Sequence, residues 1–203
     1  MTFNPDIHHR RSIRLKEYDY SQLGLYFITI VLQNKECLLG EIVNGEMVFN
    51  DAGQMITRWY FELENKFSNA KCHDYIIMPN HIHAIIEIIE NPTTMNTVGA
   101  DLRVCPSDKS TEHIIGNQSE HRLEKQGEHA GSPLHRIVQW FKTMTTNEYI
   151  HRVKTGNWRP FFGKLWQRSY YDHIIRNEND LIRIREYIVQ NPLKWENDTE
   201  NPN

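Results

Sequence analysis

The sequence has little cysteine, no long apolar run and no excess of positive charge. Its three cysteines, Cys37, Cys72 and Cys105, are widely spaced and form no CxxC pair. Neither a disulfide framework nor a thiolate zinc site is expected from such a pattern. No apolar stretch approaches the ~20 residues that span a bilayer, and the opening MTFNPDIHHRRSIRLKEYDY carries no signal-type apolar core. The chain is therefore expected in the cytoplasm, with no membrane partner. A net charge of -3 argues against a uniformly basic nucleic-acid binder. The segment from Asn91 to Pro133 lacks Phe, Trp and Tyr altogether, so it has no means to build a core and reads as a polar inserted loop. His113, His121 and His129 fall inside it with nothing rigid to hold them together, so they read as solvated residues and not as a metal site.

What is present fits one globular domain over residues 1–203, interrupted by the loop at 91–133 and closed by a short polar tail at 196–203. The 203 residues are 39% hydrophobic with a mean hydropathy of -0.64, enough for a sizeable core. LYFITIVLQ reads as a strand, and CLLGEIV joins NGEMVF through Asn44-Gly45, a tight-turn pair, as a hairpin. Ile56, Trp59, Tyr60 and Leu63 recur at helical spacing within Ala52 to Phe67. HDYIIMPNHIHAIIEII reads as a strand with a bulge or bend at Pro79-Asn80. Ile137, Trp140, Phe141 and Met144 mark a second helix starting near Ser132-Pro133. WQRSYYDHII reads as another strand. A last helix is capped by Asn177, carries Leu181, Ile184, Tyr187 and Ile188 as one stripe, and stops at Asn191-Pro192. The order is strand and helix in alternation.

The charge is unevenly distributed. Between Leu134 and Arg176 the basic residues, among them Lys142, Arg152 and Arg168, outnumber the acidic ones, and Trp166 is one of nine Trp, Phe and Tyr residues interleaved with them. Cations that hold phosphates and rings that stack on unpaired bases suit single-stranded nucleic acid. The same pattern also describes core rings under a solvated charged face.

MPNHIHAII carries the chemistry. Side chains alternate along a strand, so His81 and His83 share one face about 7 Å apart along the backbone, and Ile82 faces the opposite side. Two such imidazoles are a partial metal site, better suited to Mn²⁺ or a similar divalent ion than to Ca²⁺. By itself the pair is equally a structural one.

MPNHIHAIIEI, LWQRSYYDHIIRNENDL and REYIVQNPLKW, in that order, resemble the single-tyrosine transposases, and especially the REP-associated tyrosine transposases, of the HUH endonuclease superfamily. The motif that names the superfamily is here His81-Ile82-His83. The resemblance runs from about Tyr26 to Trp195, leaving out the polar loop. It implies an α+β fold, a ferredoxin-like antiparallel sheet flanked by helices. It also implies an activity: metal-dependent cleavage and rejoining of single-stranded DNA beside hairpin-forming repeats through a 5′-phosphotyrosine intermediate. In that scheme His81 and His83 bind a divalent ion, Mg²⁺ or Mn²⁺, and Tyr187 attacks phosphorus. Tyr170 and Tyr171 are rival nucleophiles, on opposite faces of their strand, and the match to YIVxNP favours Tyr187. A phenol with a pKa near 10 needs a nearby cation to act as a nucleophile at neutral pH.

Stand-alone members of the wider family add a Gln one turn after the tyrosine as a third ligand. Here Asn191 stands four residues on and Gln190 three. Asn191 shares the tyrosine's helix face but precedes Pro192, which biases it away from helical geometry; Asn191 is preferred and Gln190 is the alternative. The implied partner is single-stranded DNA with hairpin repeats, with Arg10, Arg11 and Arg14 on hairpin phosphates and the Leu134 to Arg176 segment on the other side. A monomer is favoured over a dimer. The competing function is a catalytically silent DNA-binding protein of the same fold. A histidine-triad hydrolase is disfavoured because position 85 is Ile where that motif needs a third histidine.

Overall fold

A computed structural model describes residues 22–91 and 132–202. Arg10, Arg11, Arg14, Cys105 and the three loop histidines lie outside the described residues. Strands β1 (Gly24–Val31), β2 (Gly40–Val43) and β3 (Glu46–Phe49) precede helix α1 (Asp51–Lys66). Then come β4 (Ala70–Ile77), β5 (His81–Ile88), α2 (Pro133–Thr155), β6 (Tyr171–Ile175) and α3 (Glu178–Gln190), followed by a short 3-10 segment, Pro192–Asn197. β4, β5, β1 and β6 lie side by side in that order, each antiparallel to its neighbours. With the β2–β3 hairpin set aside, β1-α1-β4-β5-α2-β6 is the βαββαβ order of the ferredoxin-like fold, and α3 is added at its end.

Local chemistry explains the element boundaries. Asn44 and Gly45 have φ of 52° and 79°, the left-handed pair that a two-residue hairpin turn requires. Asn50 Oδ1 accepts from the backbone N–H groups of Ala52 and Gly53 at the start of α1. Ser132 Oγ accepts from His135 N–H at the start of α2, with Pro133 in its first turn. Asn177 Oδ1 accepts from Asp180 N–H at the start of α3. Each cap satisfies N–H groups that have no partner within the helix.

Two boundaries differ from the sequence expectation. Pro79 and Asn80 do not bend one long strand: they belong to the turn between two paired strands, in which Met78 N–H donates to the carbonyl of His81 at 2.8 Å and Ile77 faces Ile82. The apolar run continues unchanged on both sides of the turn, so only the proline, which cannot serve the ladder, marks it. WQRSYYDHII becomes a strand only from Tyr171 on; Trp166 makes an isolated bridge with Leu32.

The sheet is covered on both faces. Ile82, Ala84 and Ile86 of β5 point with Tyr26, Ile28 and Ile30 of β1 toward α1 and α2, where Ile56, Tyr60, Leu63, Ile137 and Phe141 complete the main core. The opposite face carries Phe27, Ile85 and Ile175, on which α3 lays Leu181, Ile184 and Ile188. His81 and His83 have the parity of Ile85, so the strand that fills the main core aims both imidazoles at α3. Most rings of the basic, aromatic segment belong to the core or pack against it: Phe141, Tyr149 and Trp166 are buried, and Trp140, Trp158 and Phe161 are half-buried on its edge. No described helix is long and apolar enough to cross a membrane.

Phe162, by contrast, is 86% exposed. Phe141→Ala is expected to cost about 3–5 kcal/mol through loss of burial and a residual cavity, and Phe162→Ala less than about 0.5 kcal/mol. Urea midpoints of the two variants check this; equal losses would mean that the segment's rings are not divided between core and surface as described.

Candidate functional site

The site is built at the start of β5, where Asn80 and β1 orient two imidazoles. Asn80 Nδ2 donates to the backbone carbonyls of Lys35 and Glu200 at 3.0 and 2.7 Å, which leaves its Oδ1 as an acceptor 2.8 Å from His81 Nδ1. His81 therefore carries its hydrogen on Nδ1 and, when neutral, presents a lone pair on Nε2. In the neighbouring strand Thr29 Oγ1 lies 2.8 Å from His83 Nδ1. The two Nε2 atoms face each other at 3.0 Å. Two donors in adjacent positions on one ion, with bonds of ~2.1 Å, stand about that far apart.

Two residues from the C-terminal part of the chain close on this pair. Tyr187 OH lies 3.2 Å from His83 Nε2, and its ring stands edge-on to Phe27 and His83. Tyr187 is 42% exposed, so it is not a core tyrosine although it lies on the inward stripe of α3. Asp198 Oδ2 is 3.9 Å from His81 Nε2. His81, His83 and Asp198 offer ligand atoms that all lie within 4.8 Å of one another.

Asn191 is the C-cap of α3 with φ -59° and ψ -44°. It remains helical in front of Pro192 because the 3-10 segment starts there, with the proline at its first turn, where a missing N–H costs nothing. The side chain turns inward; the residue is 2% exposed and its Oδ1 is buried with no hydrogen-bond partner among the described residues. The side chain reaches Tyr187, whose phenol it influences by a hydrogen bond, and an orphan buried acceptor of this kind has the chemistry of an oxygen ligand for a divalent cation. Gln190 points outward, its Oε1 accepting from Lys194 Nζ at 2.8 Å.

The electrostatics fit the same use. Burial pushes both histidines down to about 3, helped at His81 by the Lys35 charge and at His83 by His81. Both are thus neutral imidazoles, the form that binds metals. Burial first, and then the negative charge of Asp198, raises the Tyr187 phenol above its ordinary value, with the Asn191 side chain acting in the opposite sense. A cation between the imidazoles would offset both raising effects.

Other residues expected at a DNA surface are placed differently. Lys142 donates to the carbonyls of Gln167, Arg168 and Ser169, lies over the Tyr170 ring, and is pushed down to about 8 by burial. Its ammonium holds the connection leading to β6 and is not free to meet phosphate. Trp166 is 4% exposed, with its indole N–H on Thr145 Oγ1, so its ring is core and not a stacking face. Both were expected on DNA because a sequence shows which groups are basic or aromatic, not which way they turn. Arg168 is exposed, and Arg152 is exposed with Glu148 3.7 Å away. Tyr171 lines the same cavity as Tyr187, whereas Tyr170 stacks on His135.

Asp198 was not singled out from the sequence. It lies in what reads as a polar tail, and nothing near it in the chain marks it as facing His81. The 3-10 segment and the bond from Asn80 to the Glu200 carbonyl bring it there.

A ferredoxin-like sheet thus aims paired histidines at a tyrosine on a C-terminal helix, the arrangement that the resemblance implied. No family model matches the chain. A Haemophilus influenzae protein of uncharacterised function is 38% identical over 197 residues, covering 97% of this chain and 95% of its own length. A second protein from the same organism, provisionally named a REP-associated tyrosine transposase, is 26% identical over 87% of this chain and 74% of its own length. Among solved structures, a REP-associated tyrosine transposase bound to a REP hairpin shares the fold, with a TM-score of 0.51 and 15% identity over 89% of this chain and 74% of that one. The chain is similar in sequence to a protein named as a REP-associated tyrosine transposase and shares the fold of another.

The buried histidines predict a pH dependence for the metal-free protein. Unfolded, each titrates near 6.5; folded, each stays neutral to about 3. As pH falls below 6.5 the unfolded chain takes up protons that the folded chain refuses, so stability is full above that value and is lost on acidification. The slope is at most about 1.4 kcal/mol per pH unit for each histidine. Urea midpoints between pH 7 and 5 in EDTA should fall for wild type and much less for the His81→Gln/His83→Gln variant. Parallel slopes would contradict neutral buried imidazoles.

Proposed function

We propose that the protein is a metal-dependent endonuclease and strand transferase on single-stranded DNA, acting beside hairpin-forming repeats through a 5′-phosphotyrosine intermediate. The observation that carries this reading is the Tyr187 hydroxyl 3.2 Å from His83 Nε2, itself 3.0 Å from His81 Nε2. Similarity to a protein named as a REP-associated tyrosine transposase supports a transposase-like function in general terms.

His81 and His83 supply nitrogen ligands, the orphan Asn191 Oδ1 supplies an oxygen, and Asp198 stands beside them; Gln190, spent on Lys194, takes no part. A divalent ion, Mg²⁺ or Mn²⁺, bound there supplies positive charge that polarises the scissile phosphate and favours the phenolate of Tyr187. The Tyr187 oxygen forms a bond to phosphorus as the phenolic proton leaves to solvent, the bond from phosphorus to O3′ breaks, and O3′ takes a proton from solvent and is released as a hydroxyl. Attack of a 3′-hydroxyl on the phosphotyrosine reverses these changes and rejoins strands. The covalent link conserves the phosphodiester's energy, so joining needs no nucleotide cofactor.

α3 packs on the sheet of its own chain, through Leu181, Ile184 and Ile188 against Phe27 and Ile85. Every residue assigned a role is then supplied by one chain, which favours a monomer. Arg152 and Arg168 keep exposed cations for the DNA backbone, and Arg10, Arg11 and Arg14 are assigned to the hairpin phosphates.

The test is a denaturing gel with Mn²⁺ and labelled hairpin-bearing single strands drawn from repeats flanking the gene. Wild type should give a covalent protein–DNA band that disappears in Tyr187→Phe and in EDTA. A band that survives Tyr187→Phe moves the nucleophile to another tyrosine; tight binding with no band in any metal favours the catalytically silent binder. Metal affinity gives a second check, since loss of a ligand or its support typically costs about 10–100-fold. Isothermal titration with Mn²⁺ should show Asn191→Ala and Asp198→Asn weakened by at least about tenfold, and Gln190→Ala unchanged. An unchanged Asn191→Ala would remove it from the ligand set.

A further inference from the structure

The cavity in front of Tyr187 extends well beyond the imidazoles. Its volume is about 530 Å³, and it runs from His83 and Tyr187 past Phe27 to a polar end formed by Tyr171, His173, Asp180 and Arg183. That size matches pockets that take a small organic ligand, and none of the chemistry assigned above uses the far end.

The sheet sets the distance between the two ends. Thr29 pairs with His83 on one side and with Tyr171 on the other, so Tyr171 stands two strand spacings, about 9–10 Å, from His83. Arg183 is four residues before Tyr187 on α3 and lines the same cavity, one helical turn or roughly 6 Å back. These separations are those of a neighbouring nucleotide, not of the reacting phosphate itself.

The far end has the chemistry of a base subsite. Tyr171 is 48% exposed on the cavity wall, and an open aromatic face is a stacking platform for any base. Behind it a buried carboxylate organises two donors: Asp180 Oδ2 lies 2.9 Å from His173 Nε2, and its Oδ1 accepts from Arg183. Asp180 tethers one terminal nitrogen of Arg183, whose side chain remains 76% exposed and keeps its other donors for a ligand. A guanidinium tethered on the wall of the same cavity can read the polar edge of a base lying on the Tyr171 ring.

We propose that this end of the cavity holds one unstacked base, from the nucleotide next to the scissile phosphodiester, with its face on Tyr171 and its edge on Arg183 braced by Asp180 and His173. The inference rests on the function proposed above and makes Tyr171 and Arg183 determinants of which sequence is cut.

The experiment uses full-length protein and the hairpin-bearing strands of the gel assay, with abasic sites placed one at a time through the unpaired segment. Affinity is read by fluorescence anisotropy in EDTA, and adduct formation in Mn²⁺ in parallel. At one position, immediately beside the cut, the abasic site should weaken wild-type binding about tenfold, the size of one lost base stack. Tyr171→Ala should weaken binding to intact DNA by a similar factor and lose nothing more at that position, Tyr171→Phe should behave as wild type, and Arg183→Ala should flatten base preference there. The subsite is overturned if no position is sensitive, or if the Tyr171→Ala and abasic losses multiply everywhere. Adduct formation without this coupling sinks the subsite and leaves the proposed function standing. Coupling without an adduct sinks the covalent chemistry and leaves a base-reading cavity.

Discussion

Two imidazole nitrogens held 3.0 Å apart and out of water are the constraint around which the C-terminal half of the chain is arranged. Asn80 fixes the hydrogen of His81 on the far nitrogen, so a lone pair points at His83, available to a hydrogen on His83 Nε2 or to a cation between the two. The hairpin turn that supplies Asn80, the helix that supplies Tyr187 and Asn191, and the last turn that supplies Asp198 all converge on this one point. The helix and the last turn follow one another directly, but both lie about a hundred residues after the turn that carries Asn80. The sheet is therefore less a scaffold with a site attached than a means of bringing two distant stretches of chain to one pair of nitrogens.

The division of labour along β5 makes this affordable. Alternate residues, Ile82, Ala84 and Ile86, are part of the main core, so the strand is anchored whatever stands on its other face. The histidines occupy intervening positions on the face that α3 covers at Ile85, and they too are buried. The buried neutral pair destabilises the protein on acidification, and the raised phenol of Tyr187 would be a poor nucleophile on its own. Both features are unfavourable for folding or reactivity until a cation is supplied, as is common at sites built for chemistry and not for stability.

Much of the fold was legible because its signals are local. Asn50, Ser132 and Asn177 cap helices where helix periodicity begins, and Asn44-Gly45 turns the hairpin. The Pro79-Asn80 turn was misread as a bend because both strands it joins are equally apolar. Trp166 and Lys142 were assigned to DNA because an aromatic, basic segment looks the same whether its rings face inward or outward; packing against Thr145 and three backbone carbonyls decided otherwise. The third-ligand position was open between neighbours on one helix. Helical rotation separates Gln190 from Asn191 by about 100°, enough to send one to solvent and the other into the site.

The sequence by itself determined the elements and the common face of His81 and His83, because alternation along a strand and periodicity along a helix need no distant partner. It also marked Tyr187, through its place on an apolar stripe and its resemblance to a known motif. Only the tertiary structure decided that Asp198 stands beside the histidines, that the Asn191 oxygen is buried without a partner among the described residues, and that a cavity runs on to Tyr171 and Arg183. Those are relations between segments separated by a hundred residues or more, or by whole strands of the sheet. Packing, not residue type or spacing, brings them together.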